Sequence, residues 1–293
     1  MQYRADSLGL TDTVTTILRD LVHERLGLMY EPRQFDQLAD RLSRLVVERG
    51  LTSFMDYYYV LKYSSQPEDW LNVMDALAVN ETYFWREIDQ LRALVTLVVP
   101  ELVEARPFEP LRIWSAPCAT GEEPLTIAML LAEAGWFDRA AIQIVASDAS
   151  PAAIARARRG LFGQRSFRAL PADLREKYFT EEDGAWRVSP DVQRRVSYDI
   201  VNLMSDDVAR YASAPVIVCR NVFIYFSDQS IRRVLGVFEQ RMPTPGYLCV
   251  GAAESLLRRT SVFSLEEIGG AFMYVKKQPA RMTPGEHAVE RAS

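Results

Sequence analysis

Four short apolar runs, Leu111 to Ser115, Ile142 to Ser147, Pro215 to Cys219 and Tyr247 to Gly251, alternate with stretches of helical periodicity. An apolar run of roughly four to eight residues bounded by turn residues reads as a strand buried on both faces, and such strands need helices on either side to exclude water. Helices are expected at Pro124 to Ala134 after the first run, at Pro151 to Arg159 after the second and at Asp228 to Arg241 after the third. The alternation predicts a doubly wound α/β domain, in which a ligand binds beyond the carboxyl ends of the strands.

The residues before this domain follow another period. From Val14 to about Tyr63 the apolar positions fall at helical spacing, with Phe35, Leu38, Leu42, Leu45 and Val46 on one stripe, so the first third reads as an all-helical domain. Pro32 suits a helix start and Gly50 its stop. Arg33, Arg41 and Arg44 are then expected along one outward stripe, either a solvated face or a docking face for an acidic partner helix. A long helix is expected from about Ile88 to Glu104, with the domain boundary near residue 95: residues 1–95 form the helical domain and 96–293 the α/β domain. Trp186 to Val188 and Arg195 to Tyr198 are separated by turn residues, which predicts a small antiparallel β insertion over about 178–201. From about residue 278 the chain is polar and reads as a frayed tail.

Composition removes several function classes. No apolar run approaches the roughly 20 residues of a membrane span, and no apolar core follows Arg4 and Asp6, so a cytoplasmic protein without membrane insertion is expected. The net charge of −5 argues against a nucleic-acid partner, which would demand a basic excess. Cys118, Cys219 and Cys249 lie in or beside apolar runs and read as reduced, buried thiols. With only His23 and His287 present, neither a Ser-His-Asp triad nor a metal centre is expected.

The strand ends carry the candidate chemistry. The first runs into Ser115-Ala116-Pro117-Cys118-Ala119-Thr120-Gly121-Glu122-Glu123-Pro124, where two carboxylates open a helix. A phosphate-binding turn would be richer in glycine and carry a lysine, whereas acidic residues there suit a cation; helix-dipole satisfaction explains either glutamate alone. The second ends at Asp148, about 30 residues on, where an acidic side chain can accept ribose hydroxyls, although Asp148-Ala149-Ser150-Pro151 is equally an ordinary helix cap. After the third, the Arg220-Asn221 pair is flanked by apolar residues, and buried polar groups of this kind need partners that a ligand can supply.

Five segments together resemble the CheR-type chemotaxis receptor protein-glutamate O-methyltransferases, over nearly the whole chain. They are Asn80-Glu81-Thr82-Tyr83-Phe84-Trp85-Arg86, Trp114 to Pro124, Ala146-Ser147-Asp148, Cys219 to Phe226, and Glu254-Ser255. Pro117, Leu125 and Trp85 depart from the residues usual in that family. The resemblance implies an S-adenosylmethionine methyltransferase domain, an N-terminal helical domain and a β-subdomain. It also implies S-adenosylmethionine as donor, S-adenosylhomocysteine as product, no metal, and glutamates of methyl-accepting chemotaxis receptors as acceptors. Residue by residue it places Asn80, Thr82 and Arg86 at the cofactor or the reacting centre, Glu123 and Asp148 on the cofactor's amino-acid and ribose portions, and Asn202 and Leu203 beside its adenine. Arg220 and Asn221 line the same pocket, and Tyr225 lies near the transferred methyl and, with Arg86, orients the acceptor. The competing reading is a signalling module that senses S-adenosylmethionine or S-adenosylhomocysteine without turnover; methylation of a small carboxylate would leave the helical domain without a use.

Overall fold

The computed structural model describes residues 8–64 and 66–277. The polar tail and His287 lie outside them. Four helices, α1 (Asp12–Leu26), α2 (Phe35–Glu48), α3 (Phe54–Tyr63) and α4 (Pro67–Leu77), bury Leu18, Val22, Leu38, Leu42, Val46, Phe54, Tyr57 and Leu61 around one core. Thr11 and Ser53 cap α1 and α3 by accepting from Val14 and Asp56 backbone amides, satisfying donors that a helix start leaves open.

This core ends at Leu77. The following helical run comprises Ile88–Ala93, a π segment at Leu94–Val98 and Val99–Ala105. Its buried Leu91, Leu94, Val98 and Leu102 belong to the core of the sheet. The boundary expected near residue 95 therefore falls inside a helix of the α/β domain, because the apolar stripe of that helix faces the sheet.

Ten strands are described: β1 (Leu111–Ser115), β2 (Ile142–Asp148), β3 (Leu161–Phe162), β4 (Phe179–Glu182), β5 (Ala185–Val188), β6 (Val196–Ile200), β7 (Val216–Val218), β8 (Gly246–Cys249), β9 (Phe263–Ile268) and β10 (Ala271–Lys276). Seven make one sheet in the order β6-β2-β1-β7-β8-β10-β9. The first five of these run parallel, while β10 is antiparallel to β8 and β9 to β10. Apolar clusters cover both faces, one holding Ile113, Ile144 and Val218, the other Trp114, Ile217 and Leu248. This is the doubly wound arrangement predicted from the alternating runs.

The insertion is antiparallel as expected, but its composition differs. Its three strands are ordered β3-β5-β4. Val196 to Ile200, anticipated as part of the insertion, instead pairs in parallel with β2 at the edge of the main sheet, Ile144 opposite Val196 and Asp148 opposite Ile200. Val196 and Tyr198 are buried against that sheet's helices, which gives the segment the same alternation a hairpin strand would show.

Candidate active site

The parallel strands deliver their carboxyl ends to one edge, and the helical domain lies over it. Two adjoining cavities share Val79, Pro117, Asp148, Asn221 and Tyr225. The wider is walled by Val201, Asn202 and Leu203 on one side and by Leu28, Tyr30, Gln37, Arg41 and Met74 of the helical domain on the other. The narrower is lined by Thr82, Tyr83, Arg86, Glu123 and Arg220. Asn80 opens on the wider one. Every residue assigned to the cofactor or the reaction centre from the sequence lines one cavity or both.

Asp148 closes β2. Its Oδ2 accepts from the Ala119 amide at 2.9 Å and its Oδ1 from the Ser150 amide at 2.9 Å, so the turn after β1 and the helix after β2 both hold it. Burial raises its pKa, and the backbone amides act against that. Glu123, in the first turn of helix Glu122–Glu133, accepts from Ser115 Oγ at 2.7 Å and from Arg220 Nε at 2.8 Å. Burial raises its pKa too, opposed mainly by the Arg220 charge. Glu122 turns the other way, to Thr120 and Ser166, and lines neither cavity.

Arg220 lines the narrower cavity and also braces the backbone around it. Besides Glu123, its Nη1 donates to the Glu87 carbonyl at 3.1 Å and its Nη2 to the Arg86 carbonyl at 2.6 Å. Each of its nitrogens thus makes one bond to a protein acceptor, which places Glu123 and the turn carrying Arg86 and leaves one N–H on each Nη. Sequence reasoning did not find the partners of that turn. Glu87 Oε1 accepts from Asn221 Nδ2 at 3.1 Å and its Oε2 from the Ala252 amide at 3.0 Å. Glu254 Oε2 accepts from the amides of Asn221 and Gly251, each at 2.7 Å. A Cβ on Gly251 would stand 2.5 Å from Asn221 Nδ2 and 2.9 Å from Glu254 Oε2, so any larger residue there would have to displace both side chains. Glu254 was visible as part of a motif; nothing in the local pattern marked Glu87.

Trp85, Glu87, Ala119 and Asn221 all have positive φ, four of the six such non-glycine residues among those described. Backbone held in that region persists only where its surroundings over-determine it, and here the Arg220, Glu87 and Glu254 contacts do so. Of the residues departing from the usual pattern, Pro117 lines both cavities, Leu125 is core, and Trp85 is buried.

Tyr225, 36% exposed, stands where the two cavities meet, and its carbonyl accepts from the Met29 amide at 2.8 Å. Arg86 donates Nη1 to the Glu81 carbonyl at 2.7 Å and lies 3.8 Å from Glu87. Asn202 Nδ2 donates to the Arg25 carbonyl at 2.8 Å. Of the three arginines expected on one outward stripe, Arg33 precedes α2 and pairs with Glu31 at 2.8 Å, and Arg44 pairs with Glu48 at 2.6 Å. Arg41 is turned inward, where Nη1 donates to the Leu77 carbonyl at 2.9 Å and the side chain joins the cavity wall. The stripe divides because Arg41 lies on the flank of α2 that packs over the cavity. Cys118, Cys219 and Cys249 are buried free thiols at or just beyond the ends of β1, β7 and β8.

The donor set fits a nucleoside bearing a positively charged tail. Asp148 can accept two ribose hydroxyls on its remaining lone pairs, Val201 and Leu203 form an apolar slot beside it, and Glu123 makes the far end acidic.

Known proteins carry the same pattern. Residues 80–271 match the family described as the CheR methyltransferase SAM binding domain, and residues 16–78 match the CheR methyltransferase all-alpha domain. Chemotaxis protein methyltransferase 2 of Vibrio cholerae is 34% identical over 92% of this chain and 95% of its own. Chemotaxis protein methyltransferase 1 of Pseudomonas aeruginosa is 29% identical over 88% of this chain and 89% of its own. No helix among the described residues is long and apolar enough to cross a membrane.

Proposed function

Because the chain belongs to the CheR methyltransferase family, we propose that it transfers a methyl group from S-adenosylmethionine to glutamate side chains of a methyl-accepting chemotaxis receptor, in the cytoplasm, leaving methyl esters and S-adenosylhomocysteine. The observation that carries this reading is a pair of adjoining cavities that bring Asp148, Glu123, Arg86 and Tyr225 together and, among the described residues, are lined by no histidine.

A carboxylate acceptor needs no base. With a reference pKa near 4.3, a glutamate is already ionised at neutral pH, so no proton has to be removed before transfer. When bound, S-adenosylmethionine supplies an electrophilic methyl on a positively charged sulfur. Asp148 holds the ribose end, Val201 and Leu203 flank the base, Asn202 braces that wall against α1, and Glu123 with Thr82 faces the amino-acid end. Arg86 and Tyr225 orient the incoming carboxylate. Arg86 already shares its charge with Glu87 and the Glu81 carbonyl, which keeps it from binding the acceptor so tightly that the ground state is favoured. A reaction that turns a cation and an anion into two neutral products gains from any water the bound cofactor and acceptor displace. Most of the acceleration then comes from proximity and orientation.

Arg33 and Arg44, which remain on the outer side of the helical domain, are the candidates for docking an acidic receptor helix. The test is transfer of a radiolabelled methyl from S-adenosylmethionine to purified receptor cytoplasmic fragments, released as methanol by mild base. Label lost on replacing the acceptor glutamates supports the proposal. Tight cofactor binding with no ester formed on any receptor would overturn it in favour of a sensing module.

A further inference from the structure

Asp148 is fixed by two backbone amides, and one of these, from Ser150, is itself held from outside the α/β domain. Ser150 begins helix Pro151–Arg159 as its cap: its Oγ accepts from the Ala153 amide at 3.0 Å. Its single hydroxyl proton goes to Asp75 Oδ1 at 2.5 Å, and the same oxygen accepts from the Ala152 amide at 3.0 Å. Asp75 is on α4, in the helical domain. Two domains thus complete one helix start between them. Such a start leaves amides open; Ser150 takes one, Asp75 the next, and a negative charge there is favoured by the helix dipole.

We propose that Asp75 is a positioning residue through which the helical domain sets the affinity of the α/β domain for its nucleoside cofactor. The proposal rests on the reading of Asp148 as the carboxylate that holds the ribose. The route is short and continuous: Asp75 orients the Ser150 hydroxyl, the Ser150 amide orients Asp148 Oδ1, and Asp148 faces the cavity. Without Asp75 the Ala152 amide loses its partner and the Ser150 hydroxyl its preferred direction, so the residue that ends β2 and begins the helix is no longer pinned. Asp75 is also a like charge near Asp148 and adds to the upward shift of its pKa. Anything that shifts α4, including a partner seated on the helical domain, would then alter cofactor affinity.

The experiment uses the full chain, with S-adenosylhomocysteine binding by calorimetry and methyl transfer measured against cofactor concentration. Asp75→Ala is expected to raise both Kd and the KM for S-adenosylmethionine by about tenfold, the loss of roughly one charge-assisted hydrogen bond, with kcat at saturating cofactor within about twofold. Asp75→Asn keeps the acceptor oxygen and is expected to stay within about threefold of the original. Ser150→Ala, which breaks the bridge from the other side, should weaken binding as Asp75→Ala does, and the double variant no further. It also serves if Asp75→Ala does not fold. Unchanged Kd in folded Asp75→Ala or folded Ser150→Ala, or equal loss in kcat and in affinity, overturns the proposal. Asp148→Asn separates the two readings: if it binds like the original, the ribose assignment is at fault, whereas its loss of binding beside an unaffected Asp75→Ala condemns the coupling alone.

Discussion

Asp148 and Glu123 sit beside the same cavities without pairing to one another, and burial lifts the pKa of both. A folded-state value above the unfolded one means the empty protein takes up protons in the interval between them. The stability these groups contribute is therefore fully present below the unfolded values, near 3.8–4.5, and is lost as pH rises through the folded ones. A cationic ligand prefers them ionised, so its affinity should run the other way. Calorimetry with S-adenosylmethionine at stepped pH is expected to show binding weakening on acidification at pH values above those at which exposed carboxylates titrate, with protons released on binding. These two acids were legible in the sequence because each closes a strand or opens a helix inside a recognisable segment. Glu87 was not, since its role lies in bridging Asn221 and Ala252 across the fold, and no local pattern encodes a partner more than a hundred positions away. Arg41 was misdirected for a related reason: helical spacing gives a face, but which flank of that face is covered depends on how the domains meet.

At the level of elements, the join between α1 and the strand-end loops governs where Tyr225 stands. Gly27 ends α1 with φ 75°, and a Cβ there would lie 2.9 Å from Met204 Sδ and 3.2 Å from Phe226. Just beyond it, Leu28 bridges Phe226 and the Met29 amide holds the Tyr225 carbonyl. Gly27→Ala is expected to cost about 1 kcal/mol or more in urea unfolding, since it both strains the turn and crowds the loop. Turnover should fall with it, because the displaced segment carries Tyr225; a stable variant with full turnover would show that the join is not needed for placement. The strands β1 and β2 and the helix Asp228–Arg241 could be read from their periods because each is buried on the side its pattern names. The strand β6 was misassigned because alternation specifies exposure of one face and is silent on parallel or antiparallel partners. The hairpin of β9 and β10 went unread: Phe263–Ile268 is buried only at its first position, which leaves a weak apolar signal.

Across the whole molecule, the wider cavity lies where the two domains meet, so a ligand filling it touches both. Cys118 lines the narrower cavity while Cys219 and Cys249 line neither, and burial pushes the Cys249 thiol up to about 12 and those of Cys118 and Cys219 well above the ordinary range. A thiol so placed reacts with an alkylating reagent only when the fold around it opens, because the thiolate is the nucleophile. Since they flank neighbouring strands of one sheet, they are expected to label together, at a single rate, in mass spectra taken over time. Saturating S-adenosylhomocysteine should slow Cys219 and Cys249 by the same factor, approaching one plus the ratio of ligand concentration to Kd when opening is fast and reversible, and Cys118, in the cavity wall, by at least as much. Unequal slowing of Cys219 and Cys249 would mean that the strand ends open independently. Three side chains with no part in the chemistry thus make a built-in clock, and its ticking reports how often the sheet lets go of its own edge.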